Sequence, residues 1–283
     1  MSEAGTRFTE LVGCELPLQL AAMGGVGTTE LAAAVVEAGG CGMVPAGSEP
    51  SEGACGVNFL APFDPSPEQV ADAAARCRVV EFFYADPRAD LVDAGHRAGA
   101  LAGWQVGSAA EAVAAEESGC DYVIAQGIEA GGHVRATRPL DPTLESVLAE
   151  VGIPVLAAGG VATAERVAEL MRAGADGVRV GTRFLVCPEA GAHAEYVQQL
   201  LEAEAEDTVI TEWFGEGWEN APHRVLRDAL GQAEESGWRG PVPPYRGVDR
   251  SASDMAMYAG TGVGSIAAVE PAAATIADLV RLL

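Results

Sequence analysis

Short apolar runs alternate with Ala-rich amphipathic stretches along most of the chain, which predicts strands and helices in succession. β-prone runs predict strands at 18–22, 41–45, 56–60, 79–84, 101–106, 122–125, 154–158 and 177–180. Between and after them a 3.6-residue period predicts helices at 28–38, 67–77, 87–98, 109–118, 142–151, 164–173 and 190–203. Leu31, Val35 and Ala38 put one face of the first helix on a core, and Val70, Ala74 and Cys77 do the same for the second. Thr28 or Thr29, Ser108 and Thr163 stand where N-caps belong, and Gly39-Gly40 supplies a left-handed stop. Residues 46–54 carry no helical pattern, so that crossover reads as a loop.

Eight strands that start about 15 to 32 residues apart have the spacing of βα units. The predicted fold is α/β, a (β/α)8 TIM barrel over residues 1–206, with an open doubly wound sheet as the alternative. The barrel is preferred because glycine-rich ends recur at many strands, and a barrel brings those ends to one mouth. Residues 207–283 lie outside the count. Trp213, Phe214, Trp218 and Trp238 make this stretch aromatic, 257–265 is glycine-rich, and 272–282 predicts a last helix. It reads as a C-terminal aromatic and glycine-rich cap packed on the same domain.

Composition narrows the chemistry. The chain has 283 residues, 49% of them apolar, enough for a large core. Its 17 cations are all Arg, against 41 acidic residues, for a formal charge of −24. Such a surface repels nucleic acid and anionic membranes. With no Lys, no side-chain amine can form a Schiff base. An anionic ligand must therefore be held by backbone N–H groups, helix N-termini, Arg or a metal. The six Cys form no CxxC pair, which fits a reducing compartment. The four His show no metal-binding spacing, so no metal is expected. Neither a signal peptide nor a bilayer-length apolar run is evident, and the expected location is the cytoplasm.

The sixth strand runs into Gln126-Gly127-Ile128-Glu129-Ala130-Gly131-Gly132-His133, which places an amide, three glycines and an imidazole in one loop. Gly159-Gly160 follows the seventh strand and Gly181-Thr182 the eighth, where such barrels often bind phosphate through backbone N–H groups. Ala22-Met23-Gly24-Gly25 ends the first strand as a shelf for a planar ring, and Asn58 adds a second amide. Tight turns and a capping histidine are the plainer reading of each piece. Together, a phosphate cradle, a shelf, two amides and one imidazole suit flavin mononucleotide (FMN). His223 and Tyr258 are further candidates for the mouth, Cys187 reads as a small buried residue, and His96 and His193 as helix-surface residues.

The segments PLQLAAMGGVGTTELAAAVVEAGGCGMV, VIAQGIEAGGH, IPVLAAGGVATAERVAELMRAGADGVRVGTRF and MYAGTGVGSI resemble the nitronate monooxygenase family, formerly called 2-nitropropane dioxygenases. The resemblance runs in order from about residue 16 to the C-terminus. It implies a TIM barrel with non-covalent FMN that oxidises alkyl nitronates, such as propionate 3-nitronate, with O2 to a carbonyl compound and nitrite. It further implies that Ala22, Met23 and Gly24 lie along the isoalloxazine, and that Asn58 and Gln126 bond the ribityl chain or pyrimidine edge. Gly131 would flank the ring, Gly160, Gly181 and Thr182 would hold the phosphate, and His133 would be the base or the nitronate-facing acid. The implied partners are a small nitronate or nitroalkane and O2. Two departures bear on the substrate. Phe83-Tyr84-Ala85-Asp86 stands where many members carry a His-Phe-Gly-like segment, and the chain is short around 46–54. A flavin enoyl-acyl-carrier-protein reductase using NAD(P)H is the alternative, opposed by the acidic surface, since carrier proteins are acidic too. A flavin-binding barrel without turnover is the third.

Overall fold

The computed structural model describes residues 5–48 and 55–283. In chain order it begins with α1 (Arg7–Val12), β1 (Leu18–Leu20), α2 (Thr29–Glu37), β2 (Met43–Pro45), β3 (Gly56–Leu60) and α3 (Pro67–Ala74). Next come β4 (Val79–Phe83), α4 (Ala89–Arg97), β5 (Leu101–Val106), α5 (Ala109–Glu117), β6 (Tyr122–Gln126), β7 (Gly132–His133) and α6 (Leu140–Glu150). The barrel finishes with β8 (Val155–Ala158), α7 (Ala164–Arg172), β9 (Gly177–Val180) and α8 (Ala194–Glu202). The rest contributes β10 (Thr208–Thr211), β11 (His223–Leu226), α9 (Arg227–Ser236) and α10 (Ala272–Leu279).

All eight predicted strands are present. They form one parallel sheet in the order β1-β9-β8-β6-β5-β4-β3-β2. A parallel bridge between Gln19 and Cys41 joins its two ends. Leu20 N–H donates to Cys41 O and Cys41 N–H to Leu18 O, both at 2.9 Å. The sheet is thus closed, a TIM barrel rather than an open doubly wound sheet. Thr28, Ser108 and Thr163 cap α2, α5 and α7 through their side chains, and Gly39 takes φ +90° just past α2. Residues 46–48 form a turn, and 49–54, part of the expected loop, lie outside the described residues.

Helix α1 was not expected, because six residues are too few to establish a period. A capping box between Thr6 and Thr9 starts it. Its Phe8 is fully buried and meets the Tyr122 ring edge-on, with centroids 5.4 Å apart. Phe8 packs with Cys41, Met43, Val79, Tyr122 and Ile124, apolar residues at the N-terminal end of the barrel.

Above that floor the barrel centre is polar. Arg179 on β9 is ion-paired with Glu81 on β4, four places away around the eight-stranded ring and so directly opposite. Gln19 Oε1 accepts from Arg179 Nε and Nη2 at 2.9 and 2.7 Å, and Gln105 Oε1 accepts from Nη1 at 2.7 Å. Gln19 Nε2 donates to Glu81 Oε1 at 2.7 Å, and the Tyr122 hydroxyl donates to the same oxygen. Sequence reading passed over all five residues.

The C-terminal stretch adds strands where the sequence showed only aromatic and glycine signals. β10 pairs antiparallel with β11, and β11 pairs antiparallel with β7, setting His223 opposite His133. A side chain at Gly131 would come within 2.5 Å of Gly260 N, and one at Gly260 within 2.8 Å of Glu129 O. The late glycine run thereby lets this stretch close onto the mouth. Among the described residues no helix is long and apolar enough to cross a membrane.

Removing one partner of a buried ion pair leaves the other charge uncompensated. Arg179→Met is expected to lower unfolding free energy by about 3–5 kcal/mol in urea titrations. Adding Glu81→Leu to that variant should recover most of the loss. A double variant no more stable than the single one would show that the pair does not act as a unit.

Candidate active site

The C-terminal strand ends and the C-terminal stretch enclose a cavity of about 1050 Å³. That is at the top of the usual range for small-ligand sites, roughly 300–1,000 Å³. All ten sequence-derived candidates line it: Ala22, Met23, Gly24, Asn58, Gln126, Gly131, His133, Gly160, Gly181 and Thr182.

On one side lies a backbone cradle. Gly159 and Gly160 both hold left-handed φ angles, +118° and +67°, so that successive N–H groups can turn toward one point. The chain then enters α7. After the neighbouring strand β9, Gly181 leads into a 3-10 turn at Thr182–Phe184. Among the described residues, the N–H groups of Gly160, Gly181 and Thr182 donate to no acceptor in the chain. The Thr182 hydroxyl accepts from Gly260 N at 3.0 Å and so ties the glycine run to this rim. Arg179, the nearby cation, is already satisfied by Glu81, Gln19 and Gln105. With Arg179 so occupied, an anion here would meet these backbone N–H groups.

The two amides differ. Asn58 Nδ2 is buried without a partner, as a donor awaiting a ligand would be. Gln126 holds its own loop instead. Its Nε2 donates to His133 O at 3.0 Å, and its Oε1 accepts from Arg135 N at 2.9 Å. It lines the cavity, yet its main bonds fix the path of the glycine loop.

His133 sits in an aromatic recess. Trp218 stacks on it with centroids 3.9 Å apart and planes 20° apart. Tyr84 meets it edge-on at 5.8 Å, Tyr258 lies at 5.9 Å and His223 at 5.1 Å. Tyr84 takes φ +71°, a conformation costly for a bulky residue. Burial, with a smaller effect from His223, pushes the His133 imidazole down to about 3. The ring is neutral at physiological pH. Sequence reading found this histidine but not the recess, since Trp218 comes from a segment with no regular pattern.

Tyr258 lines the mouth, whereas His223 lies behind His133, fully buried. Cys187 is buried, and burial raises its thiol to about 11, so it stays protonated. His193 is at a helix start, where its Nδ1 accepts from Glu195 N at 3.2 Å. His96 pairs with Asp121 at 2.8 Å rather than standing free. Among the described residues no His, Cys, Asp and Glu cluster could hold a metal ion.

Comparison with known proteins bears on the family and the fold. A family model described as nitronate monooxygenase matches residues 53–281. The chain is 34% identical over 251 residues to a (3aS,4S,5R,7aS)-5-hydroxy-7a-methyl-1-oxo-octahydro-1H-indene-4-carboxyl-CoA dehydrogenase of Mycobacterium tuberculosis, covering 83% of this chain and 69% of that one. Among solved structures, FabK from Thermotoga maritima superposes with a TM-score of 0.84 at 27% identity, covering 98% of this chain and 95% of the other. The nitroalkane oxidase from Streptomyces ansochromogenes superposes with a TM-score of 0.79 at 29% identity, covering 98% and 97%.

The low His133 value sets a pH dependence. Protonation favours the unfolded chain, where the imidazole has its ordinary value near 6.5. The stability tied to the neutral ring is complete above that value and is lost as pH falls toward about 3. The melting-temperature difference between wild type and His133→Gln should therefore shift against wild type between pH 7 and pH 4.5. A difference constant with pH would show that His133 titrates normally.

Proposed function

The chain belongs to the nitronate monooxygenase family and is a flavin oxidoreductase; on that premise we propose that it binds FMN and oxidises small alkyl nitronates with O2 to a carbonyl compound and nitrite. The observation that carries this reading is that a neutral, recessed imidazole and a cradle of free backbone N–H groups line one cavity. The cradle at Gly160, Gly181 and Thr182 suits a phosphate. The Ala22-Met23-Gly24 shelf suits a planar ring, and no protein atom lies within 4 Å of the space a Gly24 side chain would take. Asn58 Nδ2 offers a donor to the ring edge or ribityl chain. Bound there, the flavin supplies the electron-accepting and O2-using chemistry.

The chain's own part is to hold the anion and manage one proton. A nitronate beside His133 favours the protonated imidazole, because an opposite charge offsets the cost of burial. With a neutral nitroalkane the imidazole takes the C–H proton and the resulting cation is paired with the nitronate just formed. Trp218, Tyr84 and Tyr258 keep the ring in place and limit water around it.

A second reading, reduction of an enoyl thioester with NAD(P)H, is favoured by the likeness to a relative named for a CoA thioester. The same cavity also reaches Leu60, Phe63 and Gln69 at the start of α3, which leaves room beyond a small nitronate. Steady NADH consumption with an enoyl thioester, and none of the flavin reduction below, would put this reading first.

The purified protein should be yellow and release FMN on denaturation, and anaerobic propionate 3-nitronate should bleach the flavin absorbance. A folded protein that takes up no FMN ends the proposal. Gly181→Val, whose new Cβ would lie 3.3 Å from Ala21 Cβ and 3.8 Å from Met23 Sδ, should weaken FMN binding at least about tenfold with unchanged circular dichroism.

His133→Ala should cost roughly 10²- to 10⁴-fold on a neutral nitroalkane, with rates normalised to bound FMN. The loss on the matching nitronate should be much smaller, on the order of 1–3 kcal/mol. Equal losses on both would assign His133 to charge stabilisation alone.

A further inference from the structure

His223 lies directly behind His133, and two polar atoms there have no partner. His223 is fully buried, with its Nδ1 2.9 Å from Ala221 O. A carbonyl oxygen cannot donate, so Nδ1 carries the hydrogen. A neutral imidazole has one N–H, which leaves His223 Nε2 as a bare acceptor. That nitrogen is buried without a partner, and so is His133 Nε2. The other nitrogen of His133, Nδ1, is not buried in this way, and its ring lines the cavity.

The pairing follows from the backbone. β7 and β11 are antiparallel neighbours with His133 opposite His223, so both side chains leave the same face of the small sheet. Their ring centroids are 5.1 Å apart. The other rings around His133 do not compete for its Nε2. Trp218 covers a ring face, and the Tyr258 hydroxyl donates to Pro241 O at 2.9 Å.

We propose that His223 is a positioning residue that holds the proton of His133 on Nε2 and so presents the Nδ1 lone pair to the cavity. The two nitrogens make no hydrogen bond to each other in this geometry, but with the proton on Nε2 the N–H of His133 and the lone pair of His223 attract within one buried ring pair. With the proton on Nδ1, the same buried ring pair holds two lone pairs in a medium that screens their repulsion poorly. The choice of tautomer is set, as for other imidazoles, by what the second nitrogen meets. The catalytic consequence rests on the reading of His133 as a base, but the tautomer does not.

The test is a long-range ¹H–¹⁵N spectrum of the histidine-labelled protein as purified with its bound cofactor, for wild type, His223→Phe and His223→Gln. Wild type should show His133 with its hydrogen on Nε2. His223→Phe, which offers no acceptor, should show a tautomer mixture, and His223→Gln should restore the Nε2–H form through its amide oxygen. On a neutral nitroalkane His223→Phe should lose at least about tenfold in kcat with little change in KM, while turnover of the nitronate is nearly kept. A wild-type His133 protonated on Nδ1, or the same tautomer in folded wild type and His223→Phe, overturns the proposal. Should His223→Phe fail to fold, the wild-type and His223→Gln spectra decide it. The expected spectra in a protein that turns over neither nitroalkane nor nitronate would defeat the proposed function and leave the positioning role standing.

Discussion

The ion pair of Arg179 and Glu81 constrains everything above it. It crosses the barrel between opposite strands, in a region too dry to hold either charge alone. Gln19, Gln105 and Tyr122 fill the remaining hydrogen-bond positions, so five strands are tied to one point. This layer separates the apolar floor under Phe8 from the ligand cavity. It also occupies the local guanidinium, so an anion in the cavity would meet the glycine backbone at 159–160 and 181–182 instead.

The site is assembled from two distant parts of the chain. The barrel supplies the shelf, the cradle and the loop bearing His133. The C-terminal part supplies Trp218, His223 and Tyr258, and β11 makes β7 part of a sheet. A histidine on a free glycine loop would be solvated and would titrate near neutrality. Pinned by a strand pair and stacked on an indole, it is kept neutral far below that. The same packing that lowers its basicity when nothing is bound makes its cation dependent on an anionic neighbour.

Much of this was legible in the sequence, because strand and helix periods are local properties. All eight barrel strands and the residues at their glycine-rich ends could be read from periodicity and punctuation. What escaped depends on distant pairing. β7 is two residues long and exists only because β11 lies beside it. Trp218 has no period to mark it. That Gln126, which lines the cavity, also braces the glycine loop is visible only once the loop is folded. The barrel network did leave a signal, since Glu81 interrupts the apolar run Val79–Phe83 and Arg179 stands in Gly177–Val180. A lone charge inside a buried strand calls for a partner, although the sequence does not say where.

Because walls of the His133 recess come from residues 218, 223 and 258, the recess is incomplete until that part of the chain has been made. A ribosome that has released β9 has delivered a barrel with an open, apolar mouth and a glycine loop lacking its partner strand. Until the segment through Tyr258 follows, the recess lacks its walls and the mouth is a surface on which nascent chains can associate.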